Sequence, residues 1–295
     1  MPRIAIFGGS GYLASLIKNQ NNIKKNKYTF FSRKKKSNNY VNYLKIKKNL
    51  NFFKNFDFII HLAGPNHDQL IKNKNLLRSK NQITSNICDL CLAHKTKLIY
   101  ISSMQVYKNY GISNISIKSK INKKNIYAKS HYESENIIKK KFLNHPNMFI
   151  ILRMGNVFGF KKYGNFNYIK NNLIHNICFL GLKKRKIVIN NGSIQRTYIP
   201  SKIFVNLLNY IIQKNFLKNN IINIAYKNFF LKEIAIIIKK RIEILFNTKI
   251  DLKIEKFKYE KKFKILNKKI IKFKNTDNCF YTEIDTILKK IKKII

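Results

Sequence analysis

Apolar and polar positions alternate in blocks along the first half of the chain. Residues 4–7, 28–31, 56–61, 97–101 and 148–153 are short, mostly apolar runs, the pattern of strands buried on both faces. Between them, residues 12–19, 83–93 and 126–142 carry apolar positions at the spacing of a helix with one buried face. The pattern changes after Gly159. Residues 166–180, 203–212 and 231–245 predict helices, with short strands at 187–189 and 220–225. From Asp251 the chain is rich in lysine and weakly patterned until a last helix at 282–294. No internal repeat or long flexible linker interrupts this order. Strands alternating with helices predict an α/β fold, a doubly wound parallel sheet followed by a smaller C-terminal α/β lobe.

The first strand runs directly into Gly8-Gly9-Ser10-Gly11, and the first helix starts at Tyr12. Glycine permits positive φ and lets a ligand approach the backbone closely. The helix start points its free N–H groups and the positive end of its dipole at whatever lies in that turn. A strand, a glycine turn and a helix in this order predict a site for the diphosphate of a dinucleotide. Gly8, Ser10, Gly11, Tyr12 and Leu13 would surround it. Residues 1–159 therefore read as a Rossmann-type, NAD(P)-binding domain. Residues 160–295 read mainly as a substrate-binding lobe, with some segments returning to the sheet. Ligand is expected beyond the carboxyl ends of the strands.

Composition adds bounds. The chain has 295 residues, 45% of them apolar, enough for a full core. Its formal charge of +47 invites a nucleic-acid reading, yet the lysines are scattered along the whole length of the chain among abundant Asn and Ile. Codons for all three are rich in A and T, so mutational bias produces such a composition anywhere. A sequence-specific reader of nucleic acid gathers basic residues on one face and uses arginine for base contacts. Only seven residues here are arginine. Non-specific binding to polyanions at low salt is expected, and a specific nucleic-acid partner is not. Lys183-Lys184-Arg185-Lys186, the densest basic run, reads as a solvated loop. Cys88, Cys91, Cys178 and Cys279 are too few and dispersed for a disulfide framework, and they read as buried thiols with no metal site. No run is long and apolar enough to cross a membrane, and a strand beginning at residue 4 leaves no room for a signal peptide. A cytoplasmic protein without a membrane partner is expected.

Further segments carry a family likeness. They are Gly8-x-x-Gly11-x-x-Ala14, the run Asp57-Phe58-Ile59-Ile60-His61-Leu62-Ala63-Gly64, and the run from Ile99 through Ser102-Ser103-Met104-Gln105 to Tyr107. Leu152-Arg153-Met154-Gly155-Asn156 to Gly159 and Gly192-Ser193-Ile194-Gln195-Arg196 to Ile199 follow them. In this order they resemble the extended short-chain dehydrogenase/reductase family, the sugar-nucleotide epimerases, dehydratases and reductases. Asn86 falls where that family has a helix-bending Asn, and Asn223-Ile224-Ala225 is a weaker match. Arg153 and Arg196 both fall on family arginine positions, which scattered lysines do not explain.

The resemblance implies a site. Tyr127 stands where the family has its acid/base Tyr, Ser103 where it has the hydroxyl that polarises the same oxygen, and Glu135 where it has an acid eight residues on. Leu62, Ala63 and Gly64 would line the cofactor, and Asn156 and Arg196 would meet the diphosphate of the substrate. The main departure is His131, which holds the position of the family lysine. A Tyr of ordinary pKa near 10 needs its phenolate stabilised to work at neutral pH, which a lysine does as a permanent cation. A histidine, with a reference value near 6.5, is mostly neutral at pH 7. His131 is expected to bind the ribose and to give partial electrostatic help, while Lys129, two residues along, faces elsewhere. The chain then reads as a working enzyme tuned by His131, a slow enzyme, or a dinucleotide-binding protein without turnover. His61 is expected beneath the cofactor as a packed residue, Asp57 as a cap, and His67, His94, His145 and His175 as structural or exposed.

The likeness also narrows the reaction. Dehydratases of the family carry an Asp-Glu pair after the catalytic hydroxyl, whereas this chain has Met104-Gln105. The deoxysugar epimerase–reductases have Cys where Gln105 stands. Reduction of a keto-sugar nucleotide, or 4-epimerisation with NAD, remains. NAD-specific members place an acid at the end of the second strand. Here Ser32 and Arg33 stand there, followed by Lys34 to Lys36, and a guanidinium suits the 2′-phosphate of NADP. The expectation is an NADP-dependent reductase, with an NAD-dependent 4-epimerase as the alternative. A non-catalytic dinucleotide- or RNA-binding protein is the alternative of another class. A homodimer through the helices holding Tyr127 and Asn86 is what the family implies.

Overall fold

The apolar blocks become the strands of one parallel sheet. The computed structural model describes residues 1–20, 26–33, 39–46, 51, 53–161, 169, 172–217, 220–255, 262–265 and 278–295. The first half contains β1 (Arg3–Phe7), α1 (Tyr12–Asn19), β2 (Lys27–Phe31), β3 (Phe58–His61), α2 (His67–Lys72), α3 (Leu76–Ala93), β4 (Lys97–Ser103), α4 (Ile126–Lys141) and β5 (Phe149–Met154). There follow β6 (Asn156–Phe158), α5 (Leu173–Lys184), β7 (Lys186–Ile189), β8 (Gln195–Pro200), α6 (Ser201–Gln213), β9 (Ile221–Ile224), β10 (Lys227–Phe230), α7 (Leu231–Phe246), β11 (Asp251–Ile254) and α8 (Cys279–Lys292).

The main sheet has the order β2-β1-β3-β4-β5-β9, and every pairing in it is parallel. Side chains alternate faces along each strand, as the period of two requires. Ile4 and Ile6 join Ile60, Ile99, Ile101 and Leu152 under α1 and α6. Ala5 and Phe7 join Ile59, Leu98, Tyr100 and Ile151 under α3 and α4. The chain adds β2 on one side of β1 and then crosses back to add β3 on the other. The order reverses at β1, which opens a crevice at the carboxyl ends of β1 and β3. A third core gathers α5, α7 and α8 around Ile177, Ile238, Phe280 and Ile284. It packs against β8, which pairs with β6 and β10, and against β7, which pairs with β11.

Most expected elements lie within a few residues of their observed positions. Three differences matter. Helix α3 begins at Leu76 and not at residue 83, because its first turns carry Arg78, Ser79, Lys80 and Asn81 and their apolar signal is weak. Helix α5 starts at Leu173, while much of residues 166–171 lies outside the described residues. The strands β6, β8, β10 and β11 were not legible as runs, since each is short and mixed in polarity and owes its form to a distant partner.

One buried ionic group ties the sheet to α4. Glu135 has no exposed surface and Arg153 of β5 has 2%. The guanidinium donates through two nitrogens to the two carboxylate oxygens, and Ser102 Oγ of β4 donates to the same carboxylate at 2.6 Å. The third guanidinium nitrogen reaches Tyr107 OH at 2.7 Å, and that hydroxyl donates to Asn223 of β9. Removing one partner leaves the other charge buried and uncompensated. Glu135→Ala is therefore expected to lower stability by about 3–5 kcal/mol, read from urea unfolding at neutral pH; a loss below about 1 kcal/mol, the scale of exposed pairs, would contradict the burial.

Candidate active site

Gly8 has a φ of +92°, a conformation that L side chains rarely adopt, and a Cβ there would stand 2.8 Å from the carbonyl carbon of Leu62. The segments that follow β1 and β3 thus touch backbone to backbone. Gly8 N–H donates to Tyr43 OH at 2.9 Å, Tyr43 OH donates to Phe31 O, and Gly9 N–H donates to the same carbonyl. Asn86 of α3 donates to the carbonyls of Tyr43 and Leu44, so it holds the segment that holds the glycine turn. Helix α1 then begins at Gly11 with no side-chain cap and no acid in its first turn, leaving a positive helix end facing the crevice.

Helix α4 delivers the chemistry. The side chain of Asn125 caps it by accepting from Tyr127 N–H and Ala128 N–H, which places Tyr127 in the first turn. Burial raises the Tyr127 phenol above its ordinary value, and the Ser103 hydroxyl at the end of β4 lowers it in part. His131, one turn on, meets the Tyr127 ring edge to face with centroids 4.7 Å apart, and its Nδ1 lies 3.0 Å from Tyr100 OH. Desolvation, with the positive charge of Lys80 adding to it, holds His131 well below the usual histidine value. His61 of β3 is wholly buried, lies 3.1 Å from Thr84 Oγ1, and is pushed down to about 3 by burial and then by Lys80. Both imidazoles are neutral at pH 7.

These parts open on one cavity of about 830 Å³, at the upper end of small-molecule sites. Of the residues singled out in the sequence, Gly8, Gly11, Tyr12, Leu13, Leu62, Ala63, Gly64, Ser103, Tyr127, His131, Asn156 and Arg196 line it. Ser10, Ser32 and Arg33 do not: Ser10 and Arg33 are exposed beside the turn, and Ser32 is buried in a parallel bridge to Tyr40 at the sheet edge. Arg196 lies over the Tyr110 ring, and its Nη1 donates to the Tyr110 and Gln195 carbonyls. That leaves Nε and Nη2 without a hydrogen-bond partner among the described residues. Tyr12 OH bonds both the N–H and the C=O of Gly159, fastening the helix behind the glycine turn to the chain beyond β6. The cavity also contains Lys80, which the sequence reading did not select. Its signal was its helical spacing from Ile83, Thr84 and Ile87, all buried on one face of α3.

Elsewhere the sequence expectations fare unevenly. Asp57 caps the amino end of β1 by accepting from Arg3 N–H, and Cys88, Cys91 and Cys178 are buried thiols raised far above their ordinary value by desolvation, whereas Cys279, also expected buried, is partly exposed at the start of α8. The basic run expected as a loop is solvated but not a loop: Lys183 and Lys184 end α5, Arg185 closes it in a left-handed conformation, and Lys186 opens β7. Among the described residues no helix is long and apolar enough to cross a membrane, and no cluster of three metal-ligating side chains occurs.

Known proteins share this fold. A family model described as the NAD dependent epimerase/dehydratase family matches residues 4–225. No curated protein matches the chain. Among solved structures, a UDP-N-acetylglucosamine 4-epimerase from Methanobrevibacter ruminantium M1, in complex with UDP-N-acetylmuramic acid, superposes with a TM-score of 0.78 at 19% identity, covering 100% of this chain and 99% of that one. The UDP-Glc/GlcNAc 4-epimerase from Campylobacter jejuni gives 0.71 at 18% identity, covering 100% of both. A dTDP-4-dehydrorhamnose reductase from Bacillus anthracis str. Ames, in complex with NADP, gives 0.72 at 19% identity, covering 90% of both. At such identities the likeness is one of fold.

The neutral histidines have a consequence for stability. The unfolded chain protonates His61 near pH 6.5, whereas the folded chain does so near 3. Between these values the unfolded state binds more protons. The contribution is complete above about pH 6.5 and falls as pH drops, by up to roughly 1.4 kcal/mol per pH unit. Urea unfolding at about pH 7 and pH 4.5 is expected to show a smaller loss in His61→Gln than in the parent; equal losses would mean that His61 protonates freely in the fold.

Proposed function

The chain belongs to the NAD-dependent epimerase/dehydratase family, and from that membership we propose an NAD(P)-dependent sugar-nucleotide oxidoreductase that reduces a keto-sugar nucleotide. The observation that carries this reading is that one cavity joins the glycine turn, the Ser103–Tyr127 pair and a guanidinium with open donors. The residues fit a dinucleotide. A side chain at Gly8 would fill the cradle against Leu62, and α1 presents an uncapped N-terminus behind it, where a diphosphate is stabilised by N–H groups and dipole. Leu62, Ala63 and Gly64 line the cavity beside it.

When bound, the nicotinamide supplies the hydride. Tyr127 gives its phenolic proton to the sugar carbonyl oxygen as the C–H bond forms, and the phenolate is reprotonated from solvent. Ser103 donates a hydrogen bond to the same oxygen, which lowers the cost of the charge developing there. His131, held by Tyr100, stands as a neutral ligand to the ribose. Arg196 and Asn156 take the diphosphate of the sugar nucleotide, the guanidinium through Nε and Nη2. Met104 is buried and Gln105 carries no charge, so no acid follows Ser103 to expel water from the sugar. The reductase direction and NADP rest on Arg33, exposed at the end of β2 where a 2′-phosphate would stand; Lys34 to Lys36 lie outside the described residues.

A fluorescence titration of purified protein with NADPH and NADH, after a check for nucleotide retained through purification, tests the reading. Tighter binding of NADPH is expected. Retained or preferred NAD would replace the reductase with a 4-epimerase, and binding of neither would overturn the enzyme reading. With a keto-sugar nucleotide as substrate, Tyr127→Phe is expected to lower turnover about 10²- to 10⁴-fold, the usual scale of a lost general acid, with dinucleotide affinity unchanged.

A further inference from the structure

We propose that Lys80, reaching into the cavity from α3, supplies the cation that the Tyr127 helix lacks at His131 and so holds the bound dinucleotide. The proposal rests on the function given above and names a residue for which neither the motifs nor the family match assigns a role.

Lys80 is 2% exposed and lines the cavity. Its stem passes beneath Gly64, where an added Cβ would come within 3.2 Å of Cε. Its ammonium donates to Ser130 Oγ at 3.0 Å, and Ser130 Oγ donates in turn to the Tyr127 carbonyl at 2.8 Å. The cation is thereby moored to the turn of α4 that carries Tyr127. An ammonium has three N–H groups, and Ser130 takes one. No carboxylate lies within ion-pair distance of it among the described residues. Glu135 is committed to Arg153 and Ser102, and Glu133 to Asn81 and Lys129.

A buried, unpaired ammonium is costly, and Met would fill the same space in the core without that cost. What it offers is a positive charge and two open donors between the glycine-turn wall and the Tyr127 helix. Burial lowers Lys80 to about 7, with Glu135 and then Glu133 opposing that shift. The groups that bear on its charge are Glu133, Glu135 and His131 from α4, and His61 from β3. Both histidines are neutral and do not compete as cations. A bound polyanion raises the Lys80 pKa, so affinity for it falls as pH rises through the titration of the free ammonium.

The test compares Lys80→Met, His131→Lys and the double variant with the parent, by NADPH and NADH titration at pH values from about 7 to 9.5, above the range in which a phosphate monoester titrates. Lys80→Met is expected to melt at the same temperature or higher, since a buried charge has been removed. It is expected to bind about tenfold or more weakly at pH 7, the scale of one charged hydrogen bond. Its affinity is expected to be flat with pH where the parent's falls. Adding His131→Lys is expected to restore binding and turnover in the Lys80→Met background, yet to lower both in the parent, where two ammonium groups would crowd one site. Unchanged affinity and pH dependence in Lys80→Met would overturn the proposal. So would weaker binding accompanied by a lower melting temperature and no rescue, which would mark Lys80 as a helix-to-helix bond. A parent that binds neither dinucleotide removes the function itself, an outcome distinct from either.

Discussion

A carboxylate from α4 and a guanidinium from the carboxyl end of β5, both almost entirely out of water, meet in the interior. Glu135 and Arg153 hold each other through two hydrogen bonds, and the group extends to Ser102 on β4, to Tyr107 beyond it, and to Asn223 on β9. Three adjacent strands and one helix share it. Tyr127 lies two turns before Glu135 on that helix, and Ser103 is the residue after Ser102 on that strand. The same contact therefore sets both the packing of the sheet and the separation of the two hydroxyls that would do the chemistry. A buried pair adds little net stability over an apolar substitute, but it tolerates few arrangements, and the position of the site depends on that restriction.

The glycine turn is fixed by a second chain of contacts. Asn86 holds the Tyr43 backbone, Tyr43 OH holds Gly8 and Phe31, and Leu62 blocks any side chain at Gly8. Helix α3 thus supports both walls of the cavity, through Asn86 on one side and Lys80 on the other. Small hydroxyls let it lie close against α4: Lys80 meets Ser130, and one turn on Thr84 meets Ser134.

Electrostatics inside the cavity differ from those of the whole chain. Among the described residues most lysines are at least partly exposed, where water and salt screen their charge within a Debye length of about 8–10 Å. Within the site two imidazoles are neutral, and the charge comes from the Arg196 guanidinium and from Lys80, which burial lowers to about 7. Local burial, and not the sum of charges, sets what a ligand meets.

The sheet was legible because its strands are buried on both faces. An apolar run between turn residues has few other places to go, and 4–7, 28–31, 56–61, 97–101 and 148–153 all became strands of one sheet. The glycine turn was legible for a similar reason, since only glycine meets the demand at Gly8. Tyr127, Ser103, Asn156 and Arg196 were legible through motif spacing, and the fold brings them to one cavity. Lys80 was not. In a chain where lysine is scattered along the whole length, its letter carries little information, and the polar first turns of α3 hid the helix that buries it. The short strands β6, β8, β10 and β11 were hidden too, because pairing with distant segments defines them. The sequence by itself determined where backbone must be buried or must turn, since apolar area and φ are properties of local residues. Which of many lysines loses its water, and which imidazole stays neutral, was decided only by tertiary packing, because desolvation depends on everything that surrounds a group.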